Sequence, residues 1–164
     1  METLIRLGVE DAGEVLTLQR AAYVPEAQLH GDLLLPPLCQ TLAELGEELA
    51  DPATLALGYR TEAGRLVASV RFRADPGDPE TAVVHRLVVA PDRQGEGLGS
   101  EILLAGERRL PGTMRHVRLF TGERSARTLR LYARLGYVES HRDFVPAGYQ
   151  LVHLRKRRRQ PDGQ

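Results

Sequence analysis

The stretch RQGEGLGS, Arg93 to Ser100, holds residues whose types and spacing suit the binding of an anion. Gly95, Gly97 and Gly99 stand at every second position between an apolar run ending at Ala90 and a segment with helical spacing. Glycine costs about 0.5–1 kcal/mol relative to alanine inside regular structure, so three so close together imply a tight turn or a close approach of backbone to ligand. A helix beginning there offers unpaired N–H groups and a partial positive charge, the geometry that binds phosphate. GEGLGS opens like a dinucleotide fingerprint but lacks its third glycine in register, and no Walker lysine follows.

Two titratable groups accompany this turn. Tyr132 lies in LYARLGYVES, where Leu129 and Ala133 share its helical face. His85 lies in TAVVHRLVVA, and period-2 alternation puts Val83, His85, Leu87 and Val89 on one face of a strand. Histidine suits deprotonation near neutral pH. His116, His141 and His153 are isolated within strand patterns and show no metal-ligand spacing, so no metal is expected. Glu139 and Asp143 read as surface groups, and Glu26, His30 and Asp32 as candidate acceptor contacts.

The elements that must position these groups begin with a strand at Thr3 to Leu7 and a helix carrying Val15, Leu18, Ala22 and Tyr23 at helical spacing. VPEAQLHGDLLLPPL reads as a long loop, irregular as far as Pro36–Pro37, before a second helix from Thr41 to Leu49. ATLALGYR, GRLVASVRFR and TAVVHRLVVA form an antiparallel meander. After the glycines come a helix to Leu110, a strand from Arg115 to Thr121, a helix from Glu123 to Leu135 ended by Gly136, and two closing strands.

These residues together resemble a known family. Gln94-Gly95-Glu96-Gly97-Leu98-Gly99 matches the Q/R-x-x-G-x-G/A signature of the GNAT superfamily, the acyl-CoA-dependent N-acyltransferases, and LYARLGYVES resembles its second characteristic segment. The chain is identified as a bacterial-type, single-domain member, with residues 1–156 as the domain and 157–164 as a basic and polar tail. The resemblance implies an α/β fold of the α+β kind. It has a central mixed, mostly antiparallel sheet of about seven strands with about four helices, in the order β-α-α-β-β-β-α-β-α-β-β.

Carried over residue by residue, the likeness implies that Gln94 to Ser100 (Gln94, Gly95, Glu96, Gly97, Leu98, Gly99 and Ser100) cradle the pyrophosphate of acetyl-CoA. Leu87, Val88 and Val89 would pair with its pantetheine arm as an added strand. Tyr132 would be the general acid toward the coenzyme sulfur, and Ser125 stands where many members carry a coenzyme-contacting asparagine. The family often places a carboxylate base on the strand of His85; here Val83 is apolar and His85 is the nearest titratable group. Gly97 and Gly99 fill the signature positions, so Gly95 is expected to matter less.

Composition sets the outer limits. Lys+Arg and Asp+Glu both number 22 in 164 residues, which leaves no global charge to favour nucleic acid or a membrane surface. The basic run Arg155 to Arg159 reads as a solvated strand end and frayed tail. A lone Cys39 permits no internal disulfide and fits a reducing compartment. With no signal-peptide pattern at the N-terminus, a cytoplasmic location is expected. The expected activity is acetyl transfer from acetyl-CoA to a primary amine of a small molecule or peptide. The alternative is an acyl-CoA-binding module without turnover, and the likeness also implies a homodimer.

Overall fold

Alternating apolar and β-branched runs become strands, and the computed structural model, which describes residues 1–160, joins seven of them in one sheet. They are β1 (Thr3–Arg6), β2 (Leu55–Arg60), β3 (Leu66–Asp75), β4 (Asp78–Val89), β5 (His116–Gly122), β6 (Val138–Phe144) and β7 (Gln150–Arg157). Their spatial order is β1-β2-β3-β4-β5-β7-β6. Every neighbouring pair is antiparallel except β4 with β5, which must be parallel because a helix crosses between them. The mixed seven-stranded sheet agrees with the fold expected above, and the element order differs from it by one extra helix before β2.

Among the described residues five α-helices flank the sheet: α1 (Ala12–His30), α2 (Pro36–Cys39), α3 (Leu42–Ala50), α4 (Leu98–Arg109) and α5 (Ala126–Arg134). Successive residues of β3 point to opposite faces. Phe72 joins Ile102 and Leu103 of α4 in the apolar core. Arg71, fully buried, points the other way, donating to Glu48 of α3 at 2.9 Å and to Gln19 of α1 at 3.0 Å. A buried guanidinium without such partners would be strongly destabilising, so this network fixes how α1 and α3 sit on the sheet. Thr41 and Glu44 close the capping box that starts α3, at 3.2 and 3.0 Å.

The long loop expected after Tyr23 is instead helix as far as His30. Pro25 sits inside α1 and removes only the bond to the Ala21 carbonyl, at an exposed position, while Ala27 and His30 are buried and anchor the following turn. Pro36 and Pro37 occupy the first turn of α2, where proline's missing N–H has no partner to lose, so they start a helix rather than forbid one.

The basic run is also more ordered than its composition suggests. Arg157 belongs to β7, and the Arg158 guanidinium donates to the carbonyls of Glu107, Leu110, Pro111 and Met114 at 2.6–3.2 Å, satisfying acceptors at the end of α4. Residues 161–164 of the expected tail lie outside the described residues. Among the described residues no helix is long and apolar enough to cross a membrane.

Candidate functional site

A fork in the sheet creates the site. β4 and β5 pair only from Thr81–His116 to Val83–Arg118. Beyond that point β4 stays with β3 and β5 stays with β7, so the two strands part and leave backbone edges facing a cleft. The Ala90 N–H donates to the Val67 carbonyl at 2.8 Å, and by antiparallel alternation the polar groups of Val88 also face β3. Those of Leu87 and Val89 therefore face the cleft, and the Gln94 side-chain amide already reaches the Val89 carbonyl at 3.3 Å.

One expectation about β4 does not hold. Val88 pairs with Ser69 but His85 pairs with Arg71, so β4 carries an extra residue there, and Arg86 takes a left-handed φ of 56°. This β-bulge interrupts the alternation. His85 and Val83 share the face of Arg71, Arg73 and Val88, whereas Val89 shares the opposite face with Val84.

The glycine turn follows directly from β4 at the open end of the fork. Pro91–Arg93 make a single 3-10 turn, and Gly95 and Gly97 have φ of 83° and 85°. Both positions thus use the conformation in which side chains are strained. Gly99 has no positive φ, and a Cβ on it would meet Val89 and Leu131 only at 3.6 and 3.8 Å. For folding, φ makes glycine a requirement at Gly95 and Gly97 but not at Gly99, which is separate from the ranking that the signature implies for coenzyme binding.

Gly97 is the N-cap of α4 and has no side chain to cap it, while the first intrahelical bond runs from the Glu101 N–H to the Gly97 carbonyl at 3.0 Å. The N–H groups of Leu98, Gly99 and Ser100 therefore have no acceptor within the helix and sit at its positive end. The Leu98 side chain is buried in the core, and the Glu96 carboxylate is paired with Arg93 at 2.6 Å. These residues thus offer backbone to the cleft. Arg127 of α5 adds a cation: its guanidinium lies 3.2 Å from where a Gly95 Cβ would be.

Tyr132 on α5 is buried, with its ring 5.8 Å from that of Tyr137. Burial pushes its phenol well above the ordinary range, and Tyr23 and the Glu26 carboxylate push the same way. It is a protonated hydrogen-bond donor at any physiological pH. The Ser125 hydroxyl is buried and donates to Glu26, so it is committed to holding α1 against the start of α5 and is not presented as a stand-in for a coenzyme-contacting amide.

His85 is held low, to about 4, by burial first; the Glu48 carboxylate opposes this and the charges of Arg86, Arg71 and Arg73 reinforce it. A neutral imidazole with so low a pKa is a weak proton acceptor, which argues against His85 as the base. The depressed value has a measurable consequence. Between 6.5 and about 4 the unfolded chain binds a proton that folded His85 refuses. Stability is therefore expected to fall as pH drops through that window. Urea midpoints should decline less steeply over it in His85→Gln than in the parent, and equal slopes would contradict the assignment.

His30 and Asp32 serve the frame. The Arg124 N–H donates to His30 Nε2 at 3.1 Å, while Nδ1 lies 3.0 Å from the Glu26 carbonyl and so carries the proton. Asp32 accepts from the Tyr149 hydroxyl at 2.7 Å. Sequence reasoning gave no role to Tyr23 or Arg86, whereas Arg127, beside Gly95, stands where a cation near the phosphates was expected to take over the contact missing at Ser125. Tyr23 and Glu26 stand one helical turn apart on α1, and both act electrostatically on Tyr132 or on each other. That i, i+3 pairing was the one available signal, hidden because Tyr23 read as part of an apolar stripe.

Comparison with known proteins places the chain in a family and a fold. A model of the acetyltransferase (GNAT) family matches residues 16–137. A mycothiol acetyltransferase of Rhodococcus opacus is 32% identical over 145 residues, which cover 85% of this chain and 46% of that protein. This chain spans less than half the length of the curated relatives it matches. Among solved structures, a GNAT-family acetyltransferase from Streptococcus pneumoniae superposes with a TM-score of 0.74 at 15% identity, covering 96% of this chain and 99% of that one. PaiA N-acetyltransferase from Thermoplasma acidophilum, in complex with coenzyme A, has a TM-score of 0.73 at 14% identity, over 96% and 99% of the two chains. At such identities the likeness is one of fold.

Proposed function

Because this chain belongs to the acetyltransferase (GNAT) family, we propose that it transfers the acetyl group of acetyl-CoA directly to a primary amine of a small molecule or protein. The observation that carries the reading is the uncapped N-terminus of α4, reached through two left-handed glycines at the mouth of the β4–β5 fork. Acetyl-CoA, when bound, supplies an activated acyl carbon with a thiolate leaving group. The amides of Leu98, Gly99 and Ser100, with Arg127, would hold the pyrophosphate, and the cleft-facing backbone edge at Leu87 and Val89 would hold the pantetheine arm, with the Gln94 amide giving up the Val89 carbonyl.

Tyr132 donates its proton to the departing sulfur as the C–S bond breaks and the C–N bond forms. His85 is a poor base, and the β4 carboxylates Asp78 and Glu80 lie at the closed end of the fork, so Glu26, whose carboxylate lies between α1 and α5 beside Ser125, is assigned to receive the amine proton. Direct transfer is preferred because Cys39, the only cysteine, lies at the end of α2 and away from the signature turn. The family likeness also supports a cytoplasmic homodimer without nucleic-acid or membrane partners.

A thiol-release assay over a panel of primary amines tests the reading. It is best run in a Cys39→Ser background, because the exposed Cys39 thiol would react with the detecting dye. Turnover is expected with at least one amine, and Glu26→Gln should lower kcat about 100-fold or more. Coenzyme binding without turnover on any amine would favour the acyl-CoA-binding module instead.

A further inference from the structure

A second cluster of chemistry-bearing side chains lies outside the cleft, on the β6–β7 hairpin. His141 and His153 are directly opposed across the strands, with rings stacked 4.2 Å apart at an interplanar angle of 7°. Asp143, two residues on and on the same face, brings a carboxylate oxygen 2.8 Å from His153 Nε2 and 3.8 Å from His141 Nε2. One ligand atom from each of the three lies within 4.8 Å of the others.

A bulge creates this convergence. Glu139 pairs with Leu154 and His141 with His153, so Ser140 is the extra residue that turns His141 and Asp143 onto the face of His153. Ser140 also orients the first ring. Its hydroxyl donates to the His153 carbonyl at 3.2 Å, so its oxygen, 3.0 Å from His141 Nδ1, accepts the Nδ1 proton. In the neutral ring that leaves His141 Nε2 as a lone pair facing a carboxylate. Two acceptors facing each other call for a cation between them, and a serine fixing the far nitrogen of a ligating histidine is a typical outer-shell contact.

We propose that His141, Asp143 and His153 form a divalent transition-metal site of the zinc class, clasping β6 to β7. Zinc bonds of about 2.0–2.2 Å in tetrahedral geometry place ligand atoms roughly 3.3 Å apart, and because each imidazole lone pair lies in its ring plane, the ion must turn the two stacked rings out of parallel as it draws the three groups together. Imidazole with carboxylate suits zinc rather than magnesium or calcium. His141 and Asp143 are 58% and 60% exposed, leaving room for a water as fourth ligand.

The probe is zinc chloride alone, titrated calorimetrically into the metal-stripped, tag-free full chain carrying Cys39→Ser. A single saturable equivalent at micromolar concentration or below is expected. Affinity should fall about tenfold or more in His141→Ala and in Asp143→Asn, and stay unchanged in His116→Ala. Both ligand substitutions are at exposed positions, and a thermal melt in chelator confirms that the folded variants match the parent. No saturable binding, or equal binding by parent, His141→Ala and Asp143→Asn, would overturn the site and leave the trio as a proton-sharing pair of histidines.

Discussion

Gly97→Val is expected to weaken coenzyme A binding by about 100-fold or more. Two charge-assisted hydrogen bonds lost from the α4 amides, at about 1.5–3 kcal/mol each, account for that factor, since each 1.4 kcal/mol is tenfold. The amides are lost because valine cannot hold the φ of 85° at the N-cap, and the first turn of α4 must shift to relieve it. That same strain lowers stability, so the variant needs a matched control. Gly64 has φ 89° with open space around it, in the hairpin between β2 and β3 and outside the β4–β5 fork. Gly64→Val should therefore lose comparable stability yet keep its affinity for coenzyme A by calorimetry. Equal weakening in both variants, or an unchanged dissociation constant in Gly97→Val, would remove the turn from the binding site.

Tyr132→Phe is expected to lower kcat about 100-fold while coenzyme affinity changes little, because a proton given only to a departing sulfur acts in the transition state and not in the ground state. The internal comparison is Tyr137, whose ring lies 5.8 Å away. Its hydroxyl donates to the Glu107 carboxylate at 2.5 Å, and Lys156 holds the other oxygen of that carboxylate at 2.8 Å. Tyr137→Phe should thus cost stability and spare kcat. Were Tyr132 only a packing residue, the two variants would behave alike, with lower melting temperatures and near-parent turnover.

Much of the fold could be read from contiguous residues. The meander, the helix beginning at Thr41, the end of α5 near Gly136 and the glycine turn before α4 depend on periodicity and on local backbone preference, which neighbours in the chain encode. The signature turn pointed to a phosphate-bearing ligand for the same reason: its geometry is made by a handful of adjacent residues. The helix through Pro25 was misread because one lost hydrogen bond is outweighed by the burial of Ala27 and His30, which depends on elements far along the chain.

What only the tertiary structure decided concerns pairs of residues distant in sequence. The bulge at Arg86 is invisible to a period-2 count, and it moved His85 beside Arg71, where burial drains its basicity. Glu26 became the candidate base only when α1 came to rest against Ser125 and Tyr132, across nearly a hundred residues of chain. His141 and His153 stood as isolated histidines until a second bulge, at Ser140, set them face to face. The amino-acid order alone specified the elements and the anion-binding turn, because those arise from backbone dihedrals. Register, strand parting and burial settled which side chains meet and which protons they hold, because a carboxylate or imidazole takes its character from the charges and solvent that folding places around it.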